Sequence, residues 1–157
     1  MTVAATWYPI LAVAILHGQR PVCRGQLVPF EPAVVQLTGT VVMEHVYGPP
    51  NFGETPDQDA RYIIPVLHLD SAVCVVPGSP TRAHMNADTV ADVRRVQLFS
   101  RRPDGREYNF AAWADARVVV LGTLSESVAP GEYTRVVIGA RRISRASHSA
   151  GRPGASS

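Results

Sequence analysis

The sequence predicts an all-β (mainly β) fold: a small five-stranded OB-like barrel with one short helix between strands three and four. Two observations predict it. The same Gly-Thr pair stands inside two strand-like stretches, at residues 37–41 and 121–124. The segments also run strand, strand, strand, short helix, strand, strand, which is the order of a five-stranded, partly open Greek-key barrel.

The first strand is the clearest. Val35, Leu37, Gly39, Val41 and Met43 fall on one face at period two, with Gln36, Thr38 and Thr40 on the other. This is the pattern of a half-buried antiparallel strand. Residues 47–60 (YGPPNFGETPDQDA) form a loop, because three prolines and two glycines oppose regular pairing. Residues 61–69 are the second strand, where Pro65 removes one ladder donor and implies an edge or a bulge. A short apolar run surrounds Cys74, at residues 73–76, and residues 77–88 form another loop.

The third strand covers residues 90–99. Its alternation slips, since Val93 and Val96 are three apart, and a bulge would restore the register. Pro103-Asp104-Gly105 is a turn, with Pro fixing φ and Gly supplying a positive φ. Residues 109–114 read as a short helical turn, capped by Asn109 and carrying Phe110, Trp113 and Ala114 on one side. The fourth strand is residues 117–124 and the fifth residues 133–143. The domain is thus residues 23–143. Residues 144–157 are mainly Ser, Gly, Ala and Arg and predict a disordered tail.

Strands one and four superpose when Gly39 is aligned with Gly122: Leu37 falls on Val120, Thr40 on Thr123 and Val41 on Leu124. Glycine weakens a strand unless a bulge or a sharp bend requires it. A small barrel needs such bends in its long strands.

The sequence pI of about 8.8 suggests an anionic partner, but the charge is badly distributed for one. From Cys23 to Ala140 ten arginines stand against all thirteen acids, a net of −3. The positive excess lies in Arg20 and in Arg141, Arg142, Arg145 and Arg152, so no basic surface on the barrel is implied.

Residues 1–22 read as a signal-peptide-like or anchoring segment. The first sixteen carry no charged side chain, and residues 7–16 are nearly all apolar. That run is shorter than the ~20 residues of a spanning helix, and it fits the core of an export signal that lacks a basic leading region. The expected location is therefore periplasmic or secreted. An oxidising compartment would join Cys23 and Cys74 in one disulfide, worth at most about 4 kcal/mol for a loop of this size. The other reading is two separate buried thiols.

Several stretches together resemble the bacterial "domain of unknown function 4431" family. They are Glu31-Pro32-Ala33-Val34-Val35-Gln36-Leu37-Thr38-Gly39-Thr40, Gly48-Pro49-Pro50-Asn51-Phe52, Leu69 through Cys74-Val75, Val96-Gln97-Leu98, and Val118 through Gly122-Thr123-Leu124. The resemblance covers residues 23–143. It implies an exported OB-like domain with one cysteine at the mature N-terminus and one after strand two, where Cys23 and Cys74 stand. It implies no reaction. Many members of that family carry a Gly-His-His-His-Thr run between strands four and five. Here that region reads Pro130-Gly131-Glu132-Tyr133-Thr134, so no metal site follows from it.

No cofactor or metal is expected. The five histidines, His17, His45, His68, His84 and His148, show no ligand spacing with one another or with the cysteines. There is no Gly-x-Ser-x-Gly elbow and no phosphate-cradling Gly loop. Paired acids occur at Asp57 and Asp59 and at Glu126 and Glu132, in loops where solubility also explains them. A third, hydrolytic reading takes Asp57, Asp59 or Glu132 as the acting residue.

Arg94, Arg95, Arg101, Arg102 and Arg106 lie close to Phe99 and Tyr108, a mixture that single-stranded nucleic acid uses. Acids in the adjacent long loop oppose that use. The leading expectation is a non-catalytic exported binding domain for a protein or a cell-envelope glycan. Its candidate contacts are Tyr47, Asn51 and Phe52 in the long loop, Arg94 and Arg95 on strand three, and Tyr133 at the start of strand five. The oligomeric state is left open by the sequence.

Overall fold

The computed structural model describes residues 22–78 and 88–147. It is a closed five-stranded mixed barrel with one outer strand. The strands are β1 (Gln26–Pro29), β2 (Val34–Tyr47), β3 (Arg61–Val76), β4 (Val90–Ser100), β5 (Arg117–Glu126) and β6 (Val136–Arg145), with a 3-10 turn, Phe110–Trp113, between β4 and β5. The sheet order is β1-β3-β2-β5-β6-β4, and pairing of β3 with β4 closes the barrel. All barrel pairs are antiparallel except β4 with β6.

The five predicted strands are β2 to β6, in the predicted order. Four local readings differ. The outer strand β1 was not expected. It pairs in parallel with β3, Gln26 opposite Val73 through Pro29 opposite Val76, and its four residues offer too little pattern to stand out. The apolar run at residues 73–76 is the end of β3 and not a separate piece. The fifth strand starts at Val136 and runs to Arg145, two residues into the segment read as a tail. Asn109 makes no side-chain cap bond, and the helical turn is a single 3-10 turn. Residues 1–21 and 148–157, and with them most of the export segment and of the tail, lie outside the described residues.

The slip in the third strand is real. Between the pairs His68–Arg95 and Val73–Val93, four residues of β3 stand against one of β4. Asp92 takes φ 51° beside it. Val93 and Val96 thereby both face the core. Pro65 sits opposite Met43 of β2, and pairing with β4 begins only at Val66, one residue beyond it.

The core is aliphatic: Val41, Leu67, Val96, Leu98, Val118, Val120, Leu124 and Ile138 are almost fully buried, and Phe30 closes one end. Each such side chain is worth about 1.5–3 kcal/mol over its exposed state. Phe30 is held there by two chain bonds: its own N–H donates to Val76 O at 2.8 Å, and the Glu31 N–H to Leu124 O at 2.8 Å. Cys23 and Cys74 are disulfide-bonded, with Cα atoms 5.6 Å apart, so β1 is tied to β3 covalently as well as by its ladder.

Candidate ligand groove

A groove of about 800 Å³ crosses the outer face of β3, β4, β6 and β5. One wall is the loop between β2 and β3, which contributes Pro49 and Phe52. The other is the loop between β5 and β6, which contributes Pro130, Glu132 and Tyr133. Phe99 and Ile63 rise from the floor, and Tyr62, Tyr108 and Phe110 line the sides.

Each wall is fixed by a buried polar side chain. Asp59 is only 8% exposed. Its carboxylate accepts the Asn51 N–H at 2.8 Å and the Gly53 N–H at 2.7 Å, with the Thr55 N–H at 3.4 Å. One acid thus satisfies donors that a non-repeating loop would leave unpaired. Gln97 is 3% exposed and does the same for the second wall. Its amide donates to Gly131 O at 3.0 Å and accepts the Tyr133 N–H at 2.7 Å. The Gln97 N–H donates to Thr134 Oγ1 at 2.9 Å, and that hydroxyl donates to Val136 O at 2.7 Å. Glu132 accepts the Val128 and Ala129 N–H groups at 2.7 and 2.9 Å.

Two of the acids singled out for hydrolysis have a structural use. Asp59 and Glu132 hold loop backbone, and their oxygens point at N–H groups rather than across the groove at each other. Among the described residues no group of three metal-ligating side chains occurs.

Of the predicted contacts, Phe52 and Tyr133 line the groove. Phe52 does so at 61% exposure and in a left-handed conformation, φ 52°. Such a conformation costs a non-glycine residue roughly 1–3 kcal/mol and persists where the surroundings impose it. Asn51 bonds within its own loop, donating its amide to Thr55 Oγ1. Tyr47 packs on Gly53 with the Arg61 guanidinium 5.9 Å above its ring. Neither lines the groove.

Arg94 and Arg95 lie outside it as well, beside a smaller depression shared with Tyr133. Both are paired: Arg94 with Asp92 at 3.1 Å, and Arg95 with Glu44, Nε to Oε1 at 3.0 Å. Glu44 also bonds His68 at 2.6 Å. Burial on its own would raise the Glu44 carboxyl, but the Arg95 guanidinium and then His68 outweigh it and hold it below the usual carboxylate range. Arg102 pairs with Asp104 at 2.9 Å and lies 4.9 Å over the Tyr108 ring. Arg117 pairs with Asp70 at 2.6 Å.

Sequence reasoning missed Asp59 and Gln97 as loop anchors, and Tyr62 and Arg101 as groove residues. Tyr62 lies on Gly48, where any Cβ would collide with its ring, and Arg101 lies on Gly139 in the same way. A glycine before a proline pair and a glycine inside a strand were the available signals. Tyr108 is held at three points: its hydroxyl donates to Arg141 O at 3.0 Å, its N–H to Ser100 Oγ at 3.2 Å, and its ring tilts against Phe110 at 5.7 Å.

Glu31, Glu107 and Glu132 line the groove against one arginine, Arg101. The rim is acidic on balance, which disfavours a polyanion. No family model matches the chain, and no curated protein or solved structure is significantly similar to it.

Proposed function

We propose that this chain is a non-catalytic, exported binding domain whose groove takes a short cell-envelope glycan. One observation carries the reading. Two loops, each fixed by its own buried side chain, Asp59 and Gln97, hold Phe52 and Tyr133 over a concave groove lined by further aromatic rings. Walls fixed before the ligand arrives leave less ordering to be done on binding. The volume is that of a ligand site of roughly 300–1,000 Å³ rather than a flat protein interface. Barrels of this kind bind oligosaccharides and oligonucleotides on this face and between these two loops, and the acidic rim favours the sugar. Exposed rings such as Tyr62 and Phe99 offer apolar faces to sugar C–H groups.

The disulfide supports export, and no helix among the described residues is long and apolar enough to cross a membrane. Membership of the exported family named above is part of the same proposal, carried by its motif residues on β2, β3 and β5.

A second reading, single-stranded nucleic acid, draws on Arg102 stacked over Tyr108. Calorimetric titration of the oxidised protein with chitobiose and with muramidase-released wall fragments tests the first reading. Binding that Phe52→Ala weakens at least about tenfold is expected, that ring being one of the few rigid aromatic anchors. Absence of binding to either ligand, together with salt-sensitive binding of oligo-dT, would reverse the preference. Release of new reducing ends by the wild type would return the acids to a catalytic role.

A further inference from the structure

Among the described residues Arg101 is the arginine that lines the groove, and like Arg61 and Arg106 it has no carboxylate partner. Arg94, Arg95, Arg102 and Arg117 each have a carboxylate partner. Among the described residues no acid pairs with Arg101, although Glu107 and Glu31 line the same groove. Its stem is seated: a Cβ on Gly139 would come within 2.5 Å of Arg101 Cγ and 3.2 Å of its Cβ. Glycine at this position of β6 lets the stem lie flat across the strand. The root of the side chain is fixed too, since the Arg101 N–H donates to Ala140 O at 2.9 Å.

A cation left without a partner, beside aromatic rings and on a prepared seat, is an anion site in wait of its anion. Accordingly we infer that Arg101 sets the ligand class of the groove: a glycan bearing one carboxylate on otherwise neutral, apolar-faced sugars. The guanidinium takes that carboxylate while Phe52, Tyr62 and Phe99 face the rings. Glu31 and Glu107 oppose a polyanion, since further negative charge in the groove would meet theirs. This rests on the groove being the binding site.

The matched probes are the disaccharide of N-acetylglucosamine and N-acetylmuramic acid, with one lactyl carboxylate, and chitobiose, which lacks it. Calorimetry on the oxidised full chain should show about tenfold tighter binding of the first, the size of one charge-assisted pair. Arg101→Gln should lower that affinity about tenfold, to the chitobiose level. Gly139→Ala keeps the charge, displaces the stem, and should lower the preference severalfold. Arg94→Gln, outside the groove, should bind both probes as the wild type does. Equal affinity of the wild type for the two probes would overturn this inference and leave the groove reading standing. So would a preference that survives Arg101→Gln or is undiminished by Gly139→Ala. Failure of the wild type to bind either probe would overturn the groove reading and this inference with it.

Discussion

Leu37 and Val120 face each other directly across β2 and β5, and a local two-fold passes between them. Two residues beyond Leu37 stands Gly39, and two beyond Val120 stands Gly122. A Cβ on Gly39 would strike the His68 carbonyl of β3, and one on Gly122 the Gly139 carbonyl of β6. At each glycine the next strand closes in to a distance that a side chain would forbid. At Gly122 the β5–β6 register also shifts, between Leu121 and Gly122. Gly39→Ala and Gly122→Ala should each destabilise by about 1–3 kcal/mol in urea unfolding, the cost of overpacking against rigid backbone. Gly139→Ala, which meets the movable stem of Arg101, should cost less than about 1 kcal/mol on the same scale.

Asp59→Ala should destabilise by about 2–3 kcal/mol, because three loop N–H groups lose a charged acceptor. Limited proteolysis gives the second readout: cleavage should appear within residues 47–60 before the barrel unfolds.

Phe52→Gly separates folding from recognition. Glycine adopts φ 52° without strain, so thermal stability should hold or rise by up to about 1 kcal/mol while glycan affinity falls as in Phe52→Ala. A large loss of stability would mean that the ring supports the fold instead.

Glu44 gives a pH dependence of known sign. Its folded value lies below the ordinary 4.5, so as pH falls the unfolded chain takes up the proton first. The stability it contributes is fully present above about 4.5 and is lost as pH falls through the lower folded value. Glu44→Gln should flatten that part of the stability curve, measured by urea unfolding in steps of pH.

The purified, unreduced protein should titrate with no free thiol. Reduction should lower stability by about 2–5 kcal/mol, the usual cost of losing a native bridge in a small domain. Two free thiols would contradict the Cys23–Cys74 bond.

The barrel was legible because its long strands carry period-two patterns that only one burial arrangement satisfies. Val35, Leu37, Gly39 and Val41 announce β2, and the slip at Val93 and Val96 announces the irregular pairing with β3. β1 was not legible, since four residues on an outer edge bury little and are held by pairing and a bond from Cys23. The loop between β2 and β3 was found from its prolines, but the roles inside it were not. Asn51 and Asp59 are both polar loop residues in the sequence, and only the closed loop decides that Asn51 bonds Thr55 while Asp59 takes the loop's backbone N–H groups. Arg94 and Arg95 looked free because their neutralising partners are remote or irregular. Glu44 is fifty-one residues from Arg95, and Asp92 reaches Arg94 from a left-handed position within β4.

The Cys23–Cys74 bond also settles how the domain would carry tension. β1 lies on the outside of the barrel in a four-residue parallel ladder, and a pull on the chain ahead of it would otherwise peel it away one hydrogen bond at a time. The bond sits at the near end of that ladder, so the load passes from Cys23 straight into β3, in the middle of the closed sheet. A domain tethered by its leading end and tugged by a ligand fixed in the cell wall would bear the strain on its whole barrel at once.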